Sequence, residues 1–399
     1  MQAAAHDHHA VLVVGGGNGG SSTAGRLRRA GVEDVAIIEP RPRHLYQPLF
    51  SHVAGGTARA SRASRPQEDA LPRGVRWIRD AVVAVDPGAR EVELESGARV
   101  GYGQLVLAPG MRRRWDLIPG LAEAIETPAV SSHYELPLAA KTSRLLRDLH
   151  RGTVVFTEPA GPASCAGASQ KPMYLACDHW RRLGVLDDIR VVLVVPTPTP
   201  FGIPMIDEEL SRKIDEYGIE VRFGAELVAV EGEARVAVVR GRDGVEERIG
   251  FDVLNAVPPQ RAPEWIAESG LGDAAGFADV DPELLRHRRH PEIWALGDAA
   301  ETGASRSGGA LRKQTKALAE NLAAVLAGRR PASRYYGYSV APFTVSRRSV
   351  VFAEFDRELR QRPTVPGWRG LARERTLTWI LDRHVLPRVY WHLITKGRA

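Results

Sequence analysis

The stretch Val11-Leu12-Val13-Val14-Gly15-Gly16-Gly17-Asn18-Gly19-Gly20 decides how this chain begins to fold. Its four apolar residues predict a short buried strand, and a helical pattern that stops at Gly31 follows the glycines. A second apolar run, Val35-Ala36-Ile37-Ile38, predicts another strand and leads directly into Glu39. This order of strand, glycine-rich turn, helix and strand within residues 10–39 is typical of a dinucleotide-binding βαβ unit.

The glycines have the spacing of the G-x-G-x-x-G motif, and an acidic residue follows at about the expected 20-residue distance. Gly15 permits the tight turn, Gly17 lets a pyrophosphate approach the backbone, and Gly20 lets helix and strand pack closely. The start of the helix offers unpaired N–H groups to the phosphates, and Glu39 accepts ribose hydroxyls. A glycine-rich turn in an ordinary βαβ unit, which is the alternative, leaves Glu39 unexplained.

The composition is that of a globular protein with more than one domain. The chain has 399 residues, 44% of them hydrophobic and 26% charged, which is enough for two or three substantial cores. Two cysteines cannot supply a disulfide framework, which favours a reducing, cytosol-facing location. We expect no signal peptide and no membrane-spanning helix. His6, His8 and His9 are expected in a disordered polar tail rather than in a metal site, and no metal is predicted.

The positive charge is concentrated near the end of the sequence. The formal net charge is +6, and residues 357–399 contain nine arginines and one lysine against three acidic residues. The preceding part of the chain is therefore close to neutral. Nucleic acid is not an expected partner, because a basic stripe on the folded body is not implied.

Further along, alternating residues predict a β-meander within residues 75–100, inserted in the dinucleotide domain, and Gln104–Leu107 predict a buried strand. A second Rossmann-like domain begins at Thr153–Thr157, where the next strand is Val191–Val195 and a helix follows from Asp207 to Tyr217. The predicted boundaries are 10–112 and 259–330 for the two parts of the first domain, 113–258 for the second domain, and 331–399 for a C-terminal region.

The second domain lacks a nicotinamide fingerprint. After Thr157 the chain reads Glu158-Pro159-Ala160-Gly161-Pro162-Ala163-Ser164-Cys165-Ala166-Gly167, with two glycines at the wrong spacing. The two prolines remove backbone donors, and the matching second strand ends in Val195-Pro196 rather than in an acidic residue or an arginine. We therefore expect this domain to bind no nicotinamide.

An extended apolar segment from His290 ends in Gly297-Asp298, and Ser307-Gly308-Gly309-Ala310 then opens a helix. A carboxylate at such a strand end can accept cofactor hydroxyls, and the helix N-terminus places partial positive charge near the anionic ring of a reduced flavin. An ordinary turn is the alternative. Because Gly297-Asp298 follows a dinucleotide fold, the flavin-binding interpretation is favoured over an ordinary turn.

These segments resemble the flavoprotein disulfide reductase superfamily and, within it, sulfide:quinone oxidoreductase, particularly the branch that includes the mitochondrial enzyme. The resemblance extends from about Val11 to Gly397, and Cys165 to Lys171 is its most specific segment. Type II NADH:quinone oxidoreductase has a loop similar to Tyr46-Gln47-Pro48 of this chain. That enzyme needs a second nucleotide-binding motif, which this chain lacks. The other anchors are Val13 to Gly17, Ile38-Glu39-Pro40, His44 to Pro48, Gly297-Asp298, Ala353 to Asp356, Leu386-Pro387 and Tyr390-Trp391.

The resemblance implies an α/β fold with two Rossmann-like domains of the glutathione reductase type and a C-terminal amphipathic helical segment. It also implies FAD in the first domain and Cys165 as the catalytic residue. The cofactor-binding residues that it implies are Gly15, Gly17, Asn18, Gly20, Glu39, Gln47, Val82, Ala108, Gly110, Gly297, Asp298 and Gln314.

Enzymes of this type hold sulfur on two cysteines, one represented here by Cys165 and the other directly after Gly-Asp. The second position is Ala299 in this chain, and an alanine can form neither a disulfide nor a persulfide. Cys177 shares a helical face with Met173 and Trp180, which favours a core residue over a substitute. Cys165 precedes a helix start and Lys171, an environment that can lower the pKa of a thiol. The alternative is that Cys165 is only retained from the family and packs in an interface.

Residues 375–393 combine a helical apolar stripe with arginines and tryptophans, which is typical of a helix lying in a membrane interface. Pro387 is expected to divide this helix into two pieces. A helix pair packed on the body or on a second subunit, as in a homodimer, is the alternative. The stripe consists of Leu377, Ile380, Leu381, Val385 and Val389; the basic residues are Arg373, Arg375, Arg383, Arg388 and Lys396, and the aromatic ones are Trp368, Trp379 and Trp391.

We therefore expect an oxidoreductase that passes electrons from sulfide, a small thiol or a persulfide through FAD to a membrane quinone, peripheral on the cytoplasmic face of the cell membrane. A flavin oxidoreductase with another donor, including NAD(P)H, is one alternative. An FAD-bound redox sensor or binding protein with little turnover is the other, and the alanine at position 299 keeps it open. Phe343, Phe352 and Phe355 are candidates for a quinone channel or for an aromatic core.

Overall fold

The computed structural model describes residues 7–165, 167–364 and 372–399. The strands of the first half are β1 (Asp7–Val14), β2 (Val35–Ile38), β3 (Arg43–Leu45), β4 (Ser64–Pro66), β5 (Arg76–Ile78), β6 (Val82–Asp86), β7 (Glu91–Leu94), β8 (Arg99–Leu107), β9 (Arg112–Arg113), β10 (Val130–Ser131) and β11 (Gly152–Thr157). Those that follow are β12 (Ile189–Val195), β13 (Glu220–Phe223), β14 (Ala225–Glu231), β15 (Val236–Gly241), β16 (Glu246–Gly250), β17 (Val253–Asn255), β18 (Gln260–Arg261), β19 (Ile293–Ala295), β20 (Ser339–Ser346) and β21 (Ser349–Phe355). The α-helices are α1 (Asn18–Arg29), α2 (Phe50–Ala54), α3 (Gln67–Ala70), α4 (Leu121–Ala124), α5 (Leu136–Asp148), α6 (Lys171–Leu183), α7 (Pro204–Glu216), α8 (Glu264–Glu268), α9 (Gly308–Leu326), α10 (Thr376–Ile380) and α11 (Leu386–Val389).

The first sheet has the strand order β5-β2-β1-β8-β7-β6, and β19 also pairs with β8. Val14 at the end of β1 pairs in parallel with both Ile38 and Leu107, and Leu107 pairs with Ala295. Four parallel strands therefore end side by side. The residues that follow them meet at one edge of the sheet, which is the usual ligand side of such a fold.

Two sequence predictions for this sheet were wrong in detail. The expected meander is not an insertion, because β6 and β7 extend the main sheet through the nine-residue strand β8. β1 starts at Asp7, so His8 and His9 pair with β8 instead of forming a disordered tail, and His9 bonds Asp34 at 2.6 Å. His6 lies outside the described residues.

The second sheet, β10-β17-β11-β12-β13, is wholly parallel and confirms the second Rossmann-like unit. An antiparallel sheet of β14, β15 and β16 follows. Helix α6 buries Met173, Cys177 and Trp180 completely, which confirms Cys177 as a core residue. Phe343 and Phe355 are buried in the same core, which favours the structural role expected as their alternative.

The C-terminal segment is helical from Thr376 to Ile394, with π turns at Leu381–Val385 and Tyr390–Ile394 on either side of α11. The predicted division at Pro387 was wrong. The wider turn before Pro387 relieves the clash that a proline ring makes with the carbonyl four residues earlier. In the described part of the chain, no helix is long and apolar enough to cross a membrane.

This segment has its polar face inward and much of its apolar face outward. Thr378, Asp382 and Arg383 are buried together with Tyr390 and Trp391. Four members of the outer face are large apolar side chains exposed by 38–57%: Leu377, Ile380, Val385 and Leu393. Trp368, predicted as one of the aromatic residues, lies outside the described residues.

Candidate active site

A cleft with an empty volume of about 1420 Å³, its open mouth included, lies at the carboxyl edge of the first sheet. The cleft brings together eight of the predicted site residues: Gly17, Asn18, Gln47, Ala108, Gly110, Cys165, Gly297 and Asp298.

The glycine turn shows why each glycine is needed. A Cβ atom at Gly15, where φ is +99°, would lie 2.3 Å from the carbonyl oxygen of Ala108, and one at Gly20 would lie 1.8 Å from that of Gly15. At Gly17 a Cβ atom would meet no protein atom within 4 Å. Gly15 and Gly20 thus allow close packing behind the cleft, whereas Gly17 leaves open space within its wall.

Glu39 lies behind the turn rather than on the cleft surface. Its carboxylate accepts hydrogen bonds from the Gly16 amide at 2.8 Å and from Arg41 Nε at 2.8 Å. Burial disfavours the charged form, but the hydrogen bonds from Arg41 and Gly16 outweigh it and keep the pKa of Glu39 below its usual value. Glu39 is therefore an ionised carboxylate whose partner Arg41 lines the cleft.

Two other predicted cofactor residues lie away from the cleft surface. Gln314 accepts a hydrogen bond from the Gly297 amide at 2.8 Å and thereby holds the Gly297-Asp298 turn in place. Val82 is buried in the apolar core of the first sheet. Direct cofactor contacts of these two residues stay predictions.

Cys165 is held where the two domains meet the cleft. Its amide donates to the carbonyl of Arg306 at 2.9 Å, and its φ of +60° is uncommon for a residue with a side chain. The preceding Ser164 donates from Oγ to Asp298 Oδ2 at 2.7 Å, and Tyr134 donates to the Ser164 carbonyl at 3.1 Å. These bonds tie the cysteine loop to the Gly297-Asp298 turn.

The expectation of a lowered thiol pKa was wrong. Burial raises the pKa of Cys165 above its usual value, Lys171 opposes this, and the carboxylates of Asp298 and Asp382 add to it. Lys171, the first residue of α6, is 2% exposed and also lines the cleft. The sequence showed that Lys171 lies close to Cys165. It showed neither the burial of the thiol nor the approach of Asp382, which comes from the far end of the chain.

We expect Lys171→Gln to slow alkylation of Cys165 by iodoacetamide near pH 8 by on the order of tenfold, because a neighbouring charge shifts a pKa by about one unit or more. Removing the ammonium raises the pKa of the thiol, so less thiolate is present at a given pH. The rate is measured against pH by mass spectrometry. Lys316→Gln, on an exposed helix surface, serves as the control and should react like the unchanged chain. Equal rates in both variants would contradict the influence of Lys171.

The turn of the second domain differs from that of the first. Three residues separate β1 from α1, whereas residues 158–170 separate β11 from α6. Glu158 Oε1 accepts hydrogen bonds from Ser169 Oγ at 2.6 Å and Gln170 Nε2 at 3.0 Å, directly before the helix begins. A carboxyl group thus lies close to the helix start where a nicotinamide domain places pyrophosphate.

Comparison with known proteins identifies the family. A family model described as pyridine nucleotide-disulphide oxidoreductase matches residues 9–321. The chain is 31% identical to the mitochondrial sulfide:quinone oxidoreductase of Mus musculus, over 93% of this chain and 82% of that protein. This chain belongs to the sulfide:quinone oxidoreductase family. The mitochondrial enzyme of Dictyostelium discoideum is 30% identical over 92% of this chain and 80% of its own length.

A solved structure confirms the fold of this family member. The sulfide:quinone oxidoreductase of Aquifex aeolicus superposes with a TM-score of 0.81, covering 98% of this chain and 92% of that one, at 18% identity. The protein is thus an oxidoreductase of the FAD-dependent class, with two Rossmann-like units and helices at the C-terminus, as the sequence predicted.

The residues of the cleft fit FAD. Gly17 leaves space for a pyrophosphate at the N-terminus of α1, and Asn18 Oδ1 is buried with no hydrogen-bond partner among the described residues. Such an orphaned acceptor in the cleft wall suits a polar ligand. At the other end, Asp298 and the N-terminus of α9 face the same space as Cys165.

Several cleft residues were not singled out from the sequence as site residues. His133, buried and held by Ala168 at 3.0 Å, and Tyr134 follow β10 without any motif. His44 stood in an anchor segment but had no assigned role, and Tyr390 comes from the C-terminal segment. Arg41 carried a signal, because it is a positive charge two residues after Glu39, the carboxylate that the sequence predicted to bind ribose.

Proposed function

We propose that this protein oxidises sulfide, or a small thiol or persulfide, and passes the electrons through FAD to a membrane quinone. The observation that supports this proposal is the position of Cys165, which lines the same cleft as the glycine turn and Asp298. A thiol that shares a dinucleotide cleft is suited to deliver electrons to a bound flavin. When bound, FAD would supply the two-electron acceptor that Cys165 alone cannot provide.

The proposed chemistry places the new sulfur on Cys165. Sulfide and the Cys165 thiol would form one S–S bond and lose two S–H bonds, releasing two protons and two electrons. A bound FAD would accept the electron pair. Lys171 stabilises the thiolate that this reaction needs, whereas Asp298 and Asp382 work against it. Asp298 and Ser164 keep the cysteine loop beside the turn that lines the flavin end of the cleft.

Ala299 determines how the sulfur leaves. It is fully buried directly after Asp298, so no second thiol stands there to resolve a persulfide on Cys165. Release of the sulfane sulfur therefore requires an external nucleophile, such as a small thiol. The cationic side chains that line the cleft, Arg41, Arg43, Arg113 and Lys171, favour an anionic acceptor.

A nicotinamide donor is less well supported. In its ionised form, the carboxyl group of Glu158 beside the start of α6 repels a pyrophosphate. Burial raises the pKa of this group despite the hydrogen bonds from Ser169 and Gln170. A protonated Glu158 would still fill the position with side-chain hydrogen bonds. A redox sensor without turnover is favoured only by Ala299.

We also propose attachment to the cytoplasmic face of the cell membrane through the C-terminal segment. Leu377, Ile380, Val385 and Leu393 give this segment an exposed apolar face, and arginines flank it. Basic amphipathic helices of this kind bind at the interface of anionic bilayers. An enzyme that reduces a membrane quinone needs such a position.

Anaerobic titration of the purified flavoprotein tests the proposal. We expect sulfide to bleach the flavin absorbance stoichiometrically, and a quinone to restore it, while NADH and NADPH leave it oxidised. A flavin that stays oxidised with sulfide but is bleached by NADH would replace this proposal with the nicotinamide alternative. A flavin that no donor reduces would favour the sensor.

A further inference from the structure

We propose that the C-terminal strap, defined as residues 376–399, closes the FAD site through its buried face and that binding of its exposed face to an anionic lipid surface slows the release of FAD. This inference rests on the proposed function, since it assumes both FAD and a membrane. It adds a thermodynamic link between the two, which neither of them implies alone.

The strap forms part of the cleft wall through Tyr390. This buried tyrosine lines the cleft, and its hydroxyl lies 2.6 Å from Nε2 of His44, which also lines it. The Tyr390 ring packs on Tyr46, with ring centroids 4.2 Å apart, and Trp391 lies under the Arg65 guanidinium at 4.6 Å. A residue from the end of the chain is thus built into the cofactor cleft.

Tyr390 reaches the nucleotide end of the cleft. The side chain of His44 lies close to Gly16 and Gln67 and to the charges of Glu39 and Arg41. Gln67 donates to the Gly16 carbonyl at 2.8 Å, and Gly16 donates to Glu39 at 2.8 Å. The strap therefore contacts the group of residues that would hold the adenosine ribose and the adjoining phosphate.

The far end of the strap packs on α1, the helix that begins at the glycine turn. A Cβ atom at Gly25 would lie 2.6 Å from the backbone carbon of Lys396, and one at Gly397 would lie 2.3 Å from the amide nitrogen of Arg26. Lys396 Nζ donates to the carbonyls of Asp69 and Leu71 at 2.6 and 2.7 Å. Two backbones approach this closely only when the strap is docked.

A third contact fixes the middle of the strap. Asp382 is 8% exposed and accepts a hydrogen bond from His52 Nε2 at 3.0 Å, and Arg383 donates to the Thr57 carbonyl at 2.7 Å. Lifting the strap would break these hydrogen bonds, and a buried charged side chain that loses its partner is costly. The strap is therefore held against the body of the protein near its middle and at its far end.

The outer face of the docked strap is suited to a lipid surface. Leu377, Ile380 and Val385 are exposed, and the exposed Arg373 and Arg388 flank them, which favours anionic headgroups. Because most helical stability in proteins comes from tertiary packing, docking stabilises the helix that presents this apolar face. Lipid that binds the docked strap more tightly than the undocked strap shifts the equilibrium towards docking. By reciprocity, it also favours the closed cleft that retains FAD.

The test measures FAD release from the holoprotein by the rise in free-flavin fluorescence after dilution. Release is compared in buffer, with phosphatidylglycerol–phosphatidylethanolamine vesicles and with phosphatidylcholine vesicles. We expect the anionic vesicles to slow release by roughly threefold or more, a modest coupling free energy. The triple variant L377S/I380S/V385S should release FAD in buffer like the unchanged chain and show no response to vesicles.

Two further variants test the strap itself. Gly25→Ala, which displaces Lys396 and Gly397, and Tyr390→Phe, which removes only the hydroxyl, should both speed release in buffer, by several-fold in Gly25→Ala. Gly250→Ala is the control, because its Cβ atom would meet nothing within 4 Å. Hydrogen exchange over residues 380–399 reports whether the strap has undocked.

The outcomes separate this inference from the proposed function. Vesicle binding in a sedimentation assay with unchanged or faster FAD release overturns the link and leaves membrane attachment in place. Failure to bind vesicles, with FAD retained, overturns membrane attachment and the link together. An undocked strap in Gly25→Ala with unchanged release in buffer shows that the strap is no part of the FAD site.

Discussion

Gly17→Ala is expected to lower the affinity for FAD by roughly 10- to 100-fold and to leave the stability of the apoprotein unchanged. A Cβ atom at Gly17 meets no protein atom within 4 Å, so the folded chain tolerates the methyl group. The same methyl group occupies the space in which the pyrophosphate would approach the backbone at the start of α1. Overfilling a fitted site by one methyl group costs about 1–3 kcal/mol, which corresponds to this loss of affinity.

The measurement is titration of the apoprotein with FAD, followed by quenching of flavin fluorescence, together with a thermal unfolding curve without FAD. Gly20→Ala is the contrasting variant, because its Cβ atom would lie 1.8 Å from the Gly15 carbonyl oxygen and must disturb the turn itself. We expect Gly20→Ala to lower the melting temperature of the apoprotein, and Gly250→Ala to change neither quantity. Wild-type FAD affinity in Gly17→Ala would show that no phosphate passes this glycine.

The first βαβ unit was predictable because its signals are local. The apolar runs, the glycine spacing and Glu39 lie within 30 residues, and each constrains its neighbours directly. Parallel pairing then follows from the motif, since a strand, a helix and a strand in this order place the two carboxyl ends at one edge. The second unit was predictable for the same reason, as was the core stripe around Cys177.

The chemistry around Cys165 was not predictable, because its determinants are distant in sequence. Lys171 is a near neighbour and suggested an activated thiol, but burial and the charges of Asp298 and Asp382 reverse the direction of the pKa shift. Asp382 acts from more than two hundred residues away and becomes a neighbour only because the strap docks beside His52. Desolvation depends on everything packed around a group, and no spacing in the sequence records that.

The C-terminal segment shows a different limit. Its periodicity correctly indicated a helical stripe, but an amphipathic pattern does not say which face is buried. Packing here buries Asp382, Arg383 and Tyr390 and exposes Leu377 and Ile380, the reverse of a helix on an ordinary globular surface. The partners of the buried polar face, His44, His52 and Thr57, lie more than three hundred residues earlier.

Restoring a thiol at position 299 is the second prediction with a large expected effect. We expect Ala299→Cys to raise sulfide-dependent quinone reduction by about tenfold or more in the absence of added thiol, because an intramolecular nucleophile replaces an external one. Ala299 directly follows Asp298, whose carboxylate bonds Ser164, the neighbour of Cys165, at 2.7 Å. The loops that would carry the two thiols are therefore already joined.

The matched control is Ala299→Ser, which adds a group of similar size to the same buried position without a thiol. Cys165→Ser in either background is expected to lower turnover with sulfide by at least about 10³-fold, as loss of a nucleophile does. Steady-state quinone reduction with sulfide, with and without a small thiol, gives the rates, and intact mass shows whether the introduced thiol and Cys165 oxidise together. If Ala299→Cys is no faster than Ala299→Ser, the missing thiol does not limit turnover. The alanine then marks a change of electron donor rather than the loss of half of a sulfur-handling pair.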